Sequence, residues 1–307
     1  MYPPVPPRSR KSGIYLTVAA SLIWGTSFPG VKWGLEYAGN DILFLWLRFL
    51  VASAVTLTIV LLMKRISLSL FREPAIWLIG ALNAGAFMGQ YVGLNYTTAS
   101  NAALLIDINV VAVAIVSYFA FKERIGAVKA GGIAAGMVGV ALITAESGLS
   151  FRESQLAGDF LVLLAGWGWA FFIVLNKKML ERRSAVELSS AIIAATTLWL
   201  VLPVAYVYAT GADFTIEAPG WAGIVYLGVM CTSVATLLWA MGLEGVSATA
   251  SATIMLVEVI TALAIAAALL GETMGAAAIS GAALILGAIY LVSYKDRGAG
   301  VMVATHG

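Results

Sequence analysis

Four ionisable side chains stand inside long apolar runs of this sequence: Lys32, Arg48, Asp107 and Glu258. A charged group in hydrocarbon costs at least ~2.5–3.5 kcal/mol, so each needs a partner or a task. Glu258 lies about twelve residues into its run, near the middle at ~1.5 Å per residue. There a carboxyl can carry a proton, touch a solute, or hydrogen-bond a neighbouring helix as the neutral acid. Asp107 and Arg48 lie about nine and about six residues from run ends that fall on one side, depths that suit an ion pair. Such a pair is either a structural salt bridge or one that opens and closes. Lys32, near the end of its run, can reach the interface toward Glu36 or Asp41, or take part in gating. Other chemistry is excluded by what is missing. The only histidine is His306, one residue from the C-terminus, and the only cysteine is Cys231. No His-based triad, HExxH zinc site, thiolate cluster or intrachain disulfide can be built from these. Asp107 is the only Asp deep within a run, so an aspartyl dyad lacks its second member. The sequence therefore assigns no catalytic residue, no metal site and no cofactor.

Neutral polar groups form a second set: Asn83, Gln90, Asn101 and Asn109. Asn83 and Gln90 are seven residues apart and share a helix face with Phe87. Singly they read as interhelical glue; together they suggest a polar cavity. Tryptophans divide by depth. Trp33, Trp77 and Trp221 lie near run ends, as interfacial belts do. Trp24, Trp167 and Trp169 lie about ten residues deep, where they either pack or wall a cavity that would favour apolar, aromatic or ammonium groups. Pro29 removes the amide that would bond the Gly25 carbonyl, which predicts a kink. Gly132 and Gly136 form a GxxxG pattern, read as close packing within one half of the chain rather than as a dimer contact.

The elements that must position these residues follow from composition. Of 307 residues 61% are hydrophobic and 11% charged, against roughly 25% charged in soluble domains. That excludes both a soluble globule and a disordered chain, and makes the lipid bilayer the main partner. The net charge of +2 offers no basic stripe for nucleic acid. Ten apolar segments, 14–34, 42–63, 74–94, 98–121, 126–145, 158–179, 185–209, 219–241, 246–270 and 274–294, are each long enough to cross as a helix. Barrel strands would instead alternate over ~10 residues. The first segment is too long for a signal-peptide core and reads as a retained span.

With the N-terminus inside, the inner links hold Arg8, Arg10, Lys11, Lys64, Arg65, Arg72, Lys122, Arg124, Lys129, Lys177, Lys178, Arg182, Arg183, Lys295 and Arg297. The outer links hold only Arg152, while Lys32 and Arg48 lie within spans. This bias predicts a multi-pass protein of the cell inner (plasma) membrane with both termini cytoplasmic. The chain also repeats. Shifted by 149 residues, Ala99, Ala103, Val110, Glu123, Gly126, Ala127 and Gly132 fall on Ala248, Ala252, Val259, Glu272, Gly275, Ala276 and Gly281. Asn109 falls on Glu258 and Gln90 on Trp239; a shift of 143 puts Trp24-Gly25 on Trp167-Gly168, predicting a Trp24/Trp167 pair across a pseudo-twofold axis. The expected fold is all-α and integral to the membrane, with ten transmembrane helices as two inverted five-helix repeats. The first repeat spans 1–147, a linker 148–157 and the second 158–307. Five crossings per half force the inversion, a recurring architecture of secondary transporters.

Trp24-Gly25-Thr26-Ser27-Phe28 followed by Lys32, Leu47-Arg48-Phe49, Gly271-Glu272, Glu123 with Gly126, and Val257-Glu258 stand in the order and spacing of one known family. The chain resembles the drug/metabolite transporter superfamily, of the EamA type. Val110 and Val259 stand where family members often carry proline, so the resemblance does not carry a helix break to those positions. It implies export of small metabolites, amino acids being a common substrate class.

Three readings remain. The first is a secondary transporter exporting small neutral, hydrophobic or aromatic amino acids by alternating access, with protons as a candidate coupling ion. Its cavity would be lined by Trp24, Asn83, Gln90, Asn101, Asn109, Trp167, Trp169, Trp239 and Glu258, and gated or paired by Lys32, Arg48 and Asp107. No Walker-type phosphate loop is present to use ATP. The second is a proton-coupled exporter of cationic drugs; small four-helix relatives place their key Glu in the first span, and this chain has no carboxylate before Glu36. The third, an intramembrane enzyme, lacks its catalytic groups. Phosphorylated solutes would require a Lys/Arg cluster, and a channel a filter-like loop.

Overall fold

No water reaches a backbone amide in hydrocarbon, so a spanning segment must satisfy its own hydrogen bonds. This chain does so with helices. The computed structural model describes residues 8–64, 68–97, 99–123, 125–146, 152, 155–270 and 275–295. Arg65, Arg124, Gly271, Glu272, Arg297, His306 and the side chains of Phe28 and Asn101 lie outside the described residues. The first half contains α1 (Arg10–Gly25), α2 (Ser27–Leu35), α3 (Asp41–Leu62), α4 (Pro74–Leu94), α5 (Ala99–Asp107), α6 (Asn109–Phe121) and α7 (Ala127–Glu146). The second contains α8 (Leu156–Leu180), α9 (Ala185–Ala209), α10 (Ala218–Tyr226), α11 (Ala235–Leu243), α12 (Ala248–Met255), α13 (Val257–Leu270) and α14 (Ala276–Lys295). A π-helical stretch, Leu227–Val234, joins α10 to α11. Joined across their interruptions, these give ten helices long and apolar enough to cross a membrane, from Arg10–Leu35 to Ala276–Tyr294. Each corresponds to one apolar segment of the sequence. The only β pairing among the described residues is an isolated bridge, Ala38 with Ile216.

Local chemistry sets the helix starts. Ser9, Asn40, Ser184 and Ser247 each accept an amide hydrogen bond in the first turn of α1, α3, α9 and α12. Pro74 and Pro219 stand in the first turns of α4 and α10, where no amide partner is needed.

The helices pair mostly across the two halves. α7 packs on α14, α3 on α9, and α6 on α12. The pairing of α1 with α11 is matched by α8 with α4, and that of α1 with α13 by α8 with α6. Each pairing is thus self-matched or has a counterpart under exchange of the halves. Missing side chains permit close approach: a Cβ on Gly139 would lie 2.6 Å from the Gly281 carbonyl, and one on Gly281 2.5 Å from that of Gly139. The Gly132/Gly136 pattern corrects one expectation. Those glycines face Val292, Ala288 and Leu256, so they seat the fifth span on the second half rather than within the first.

Links meet in two sets. In one, Arg8 Nε donates to Glu244 at 3.1 Å, the same carboxylate accepts the Ala185 amide at 3.1 Å, Lys177 Nζ donates to the Leu243 carbonyl at 2.7 Å, and Arg183 pairs with Glu73. In the other, the Gly39 amide donates to Thr215 O at 2.9 Å, that of Glu217 to Tyr37 O at 3.0 Å, and Thr97 hydrogen-bonds Asp159. The first set joins the start of the chain and links that follow even-numbered spans, the second links that follow odd-numbered spans, as strict alternation of ten crossings requires.

Candidate functional site

Three spans are interrupted partway along, and the interruptions carry the polar residues. The first breaks at Thr26, whose amide and hydroxyl both donate to the Ile23 carbonyl, at 3.1 and 2.7 Å. Pro29, three residues on, supplies no amide, so the expected kink is present. The fourth breaks at Ile108 and the ninth at Leu256, one residue apart in the repeat register. Neither holds a proline. Tight i to i+3 bonds bridge them instead, Val111 N to Ile108 O at 3.0 Å and Val259 N to Leu256 O at 3.2 Å. Clustered β-branched residues (Val110, Val111, Val257, Val259, Ile260) and the polar Asp107 and Asn109 weaken helix at both places.

Asp107 ends α5, Asn109 opens α6, and Glu258 sits in the first turn of α13. Asp107 is 5% exposed and Asn109 7%; Glu258 is partly buried. None of the three side chains makes a hydrogen bond or ion pair among the described residues. α1 closes against this group through Gly25: a Cβ there would lie 2.8 Å from the Glu258 carbonyl oxygen and 2.4 Å from Thr261 Cβ.

The expected Arg48–Asp107 pair does not form. Arg48, 3% exposed, donates from Nε to Thr232 Oγ1 at 2.7 Å, and its guanidinium lies 5.3 Å from the centre of the Phe87 ring. Tyr91 is buried on the same side, its hydroxyl close to Arg48 but without a hydrogen-bond partner. The physical reason lies in the eighth span. Its π-helical turn widens the helix and offers Thr232 to Arg48 and the Cys231 carbonyl to the Trp24 indole, at 2.7 Å. The neighbouring Tyr226 hydroxyl meets Thr26 Oγ1 at 2.5 Å.

The aromatic residues regroup too. Trp24 lies 6.2 Å from Trp239, centre to centre, and Trp239 stacks on Phe172 at 5.5 Å. Trp239, 1% exposed, donates to Ser251 Oγ at 3.1 Å. Trp167 is not the partner of Trp24; it packs on the main apolar core. Trp169 meets Phe87 edge-on at 5.3 Å, and Phe87 meets Phe49 at 5.0 Å. Asn83 donates to Thr196 Oγ1 at 3.2 Å, as interhelical glue. Gln90 is half-buried, and Lys32 is exposed in the last turn of α2 with no ion pair among the described residues.

Thr26, Thr232, Tyr226, Ser251 and Phe172 escaped the sequence reading. Hydroxyls and a phenyl are ordinary in an apolar span, and nothing in the hydropathy marks the π-helical turn that brings Thr232 to Arg48. A groove of about 510 Å³ runs along α4 and α8 between Leu78, Gly85, Met88, Leu161, Leu164 and Gly168. It holds no ionisable group and lies apart from the interrupted spans.

Known proteins resemble this chain. The profile of the EamA-like transporter family matches twice, over residues 11–145 and 156–294. An uncharacterized transporter of Archaeoglobus fulgidus is 30% identical over 288 residues, covering 92% of this chain and 97% of its own. A probable amino-acid metabolite efflux pump of Salmonella typhimurium is 26% identical over 301 residues, covering 94% and 97%. Its namesake of Escherichia coli is 25% identical over 290 residues, covering 92% and 95%. A protein of known crystal structure superposes with a TM-score of 0.79 over 93% of this chain and 98% of its own, at 18% identity, which establishes a shared fold.

Proposed function

This chain belongs to the EamA-like transporter family, and we propose that it exports small amino-acid-like metabolites, neutral and hydrophobic or aromatic, across the plasma membrane by alternating access. One observation carries the reading. Interrupted spans of both halves carry side chains at their breaks, Asp107, Asn109 and Glu258, that make no hydrogen bond or ion pair among the described residues. Discontinuous helices at the interface of two repeats are where secondary transporters hold solute, because broken backbone and unpaired polar groups are tolerated only along a cavity.

On this reading the two halves are inverted repeats, roughly 1–147 and 158–307, with both termini in the cytoplasm as the Lys and Arg distribution requires. The cytoplasmic ties are then Arg8–Glu244 and Glu73–Arg183, and the outer ties the hydrogen bonds of residues 37–39 with 215–217. Alternating access loosens one set while the other holds. The aromatic groups around Trp24–Trp239 and Phe87–Trp169 supply apolar walls, favouring hydrophobic side chains on the solute. Transport draws on a gradient, with protons as the candidate ion. The relatives are transporters, which points away from catalysis.

The test is uptake by purified protein in proteoliposomes across a panel of amino acids, with and without a pH gradient. Saturable flux of hydrophobic or aromatic amino acids supports the reading. Flux of phosphorylated sugars, or of lipophilic cations alone, with none of any amino acid overturns it.

A further inference from the structure

Arg48 carries a permanent charge in the protein interior, and it forms no ion pair among the described residues. We propose that its guanidinium, with the Tyr91 hydroxyl, forms the subsite that binds the carboxylate of the transported solute. The proposal rests on the transporter reading above and names the part of the solute that this place recognises.

The parts of the subsite meet where α3 faces α4 and the π-helical stretch. The Arg48 guanidinium lies 5.3 Å from the centre of the Phe87 ring, and that ring lies 5.0 Å from Phe49, the next residue on α3. Tyr91 stands one turn beyond Phe87 on α4, and side chains four apart share a helix face. Its ring packs in one cluster with Phe49 and Phe87. Tyr91 is 4% exposed, and its hydroxyl is buried close to Arg48 without a hydrogen-bond partner. From the eighth span, Thr232 Oγ1 accepts from Arg48 Nε at 2.7 Å. A Cβ on Gly228 would lie 2.9 Å from the Arg48 carbonyl oxygen, so the π-helical stretch sits directly on this turn of α3.

The elements packed on α3 and α4 place no counter-ion at this level. α3 packs on α9, α10, α4 and the π-helical stretch, and α4 on α8, α9 and α5. Neither α4, α10 nor the π-helical stretch contains a charged residue. Asp41 lies two turns before Arg48, ~10 Å away along α3. The only acid of α9 is Glu187, in its first turn; it is ten residues, ~15 Å, from Thr197, which donates to the Phe49 carbonyl. On α8, Asp159 is bonded to Thr97 and stands ten residues before Trp169, the residue that meets Phe87. Asp107, at the end of α5, forms no ion pair among the described residues.

The unpartnered Tyr91 hydroxyl is the independent sign that an acceptor belongs here. A guanidinium presents five N–H donors in one plane and no acceptor. With Nε given to Thr232, the Nη groups keep four, a fork that suits the two oxygens of a carboxylate. The tyrosine hydroxyl adds one more donor to the same anion. A cation would be repelled, and a phosphate dianion would keep one charge uncompensated. Phe49, Phe87 and Trp169 border the fork, which suits a carboxylate joined to an apolar or aromatic body. Both polar groups are buried in the arrangement described, so solute reaches them as the spans part in alternating access.

Full-length protein in lipid nanodiscs is titrated calorimetrically with 3-phenylpropanoate and 4-methylpentanoate, carboxylates without an amine, and with the two corresponding neutral amides. Wild type is expected to bind at least one acid, about tenfold or more tightly than its amide. Tyr91→Phe deletes a hydroxyl that no group of the protein holds. Its thermal midpoint should therefore match wild type, while the acid weakens about tenfold, the worth of a hydrogen bond to a charged group. Arg48→Lys keeps the charge without the fork and should also weaken the acid about tenfold or more; if that variant does not fold, Tyr91→Phe decides. Absence of acid binding in wild type, equal affinity for acid and amide, or unchanged acid affinity in Tyr91→Phe overturns the subsite. Acid binding that weakens in Tyr91→Phe, with no flux of any amino acid in proteoliposomes, contradicts the transporter reading and leaves the subsite standing.

Discussion

Gly25 is where the first span touches the ninth, and a single methyl group there probes whether that contact takes part in transport. In Gly25→Ala the new Cβ would sit 2.4 Å from Thr261 Cβ and 2.8 Å from both Thr261 Cγ2 and the Glu258 carbonyl oxygen. Comfortable contact lies near 3.5–4.0 Å, so α1 and α13 must part by about 1 Å. Overpacking of this kind costs about 1–3 kcal/mol. Loaded on the arrangement in which α1 rests against Glu258, that shifts the balance of states by about 5–150-fold. We expect turnover in proteoliposomes to fall at least about fivefold, with a lowered thermal midpoint in detergent. Gly85→Ala and Gly131→Ala are the controls, because a Cβ at either meets nothing within 4 Å. Thr261→Gly in the Gly25→Ala background removes the worst overlap but leaves the Glu258 carbonyl at 2.8 Å, so it should restore flux in part. If Gly25→Ala transports and melts like Gly85→Ala, the close seating of the first span on the ninth is irrelevant to the cycle.

Three further outcomes follow from the geometry. Thr232→Val strands the buried Nε of Arg48, and hydrogen bonds to charged groups are worth about 1.5–3 kcal/mol; the thermal midpoint should drop, while Thr232→Ser keeps it, and equal midpoints for the two would contradict the bond. Hydrogen bonds from the Thr215 amide and then its hydroxyl hold the Asp213 carboxyl below its usual range. A depressed value means that this support is complete above the ordinary carboxylate pKa and is lost as pH falls through the lowered one. Spin labels on the two links that carry residues 37–39 and 213–217 should therefore separate only below about pH 4, and Asp213→Ala should separate them at pH 7. Cys231, the single cysteine, is buried with its Sγ 3.7 Å from the Ile23 carbonyl. Maleimide should label it slowly at rest and faster during transport, and identical rates would argue against movement of the first span on the eighth.

The ten spans and their ends were legible because lipid imposes one rule, about 20 apolar residues per crossing, and this chain obeys it throughout. The break at Thr26 was legible too, through Pro29. The breaks at Ile108 and Leu256 were not, since valines occupy the proline positions and the weakness is spread over several β-branched residues. Sequence depth gives a residue's level along the membrane normal but not its direction around the helix axis. That is why Arg48 turns to Thr232 and the Phe87 ring rather than to Asp107, which lies at a similar sequence depth. The Trp24/Trp167 pair assumed perfect symmetry, whereas Trp24 meets Trp239, whose repeat mate is Gln90. Depth along the spans singled out both Glu258 and Asp107, but not the helices that face them.

Counterflow discriminates most directly among carrier, channel and inert protein. Proteoliposomes loaded with unlabelled hydrophobic amino acid are diluted into a trace of the same amino acid labelled. An alternating-access carrier draws label in above its equilibrium level before it drains, and this overshoot should weaken in Glu258→Gln. Label that merely equilibrates, or that never enters for any amino acid, would contradict the proposed transport.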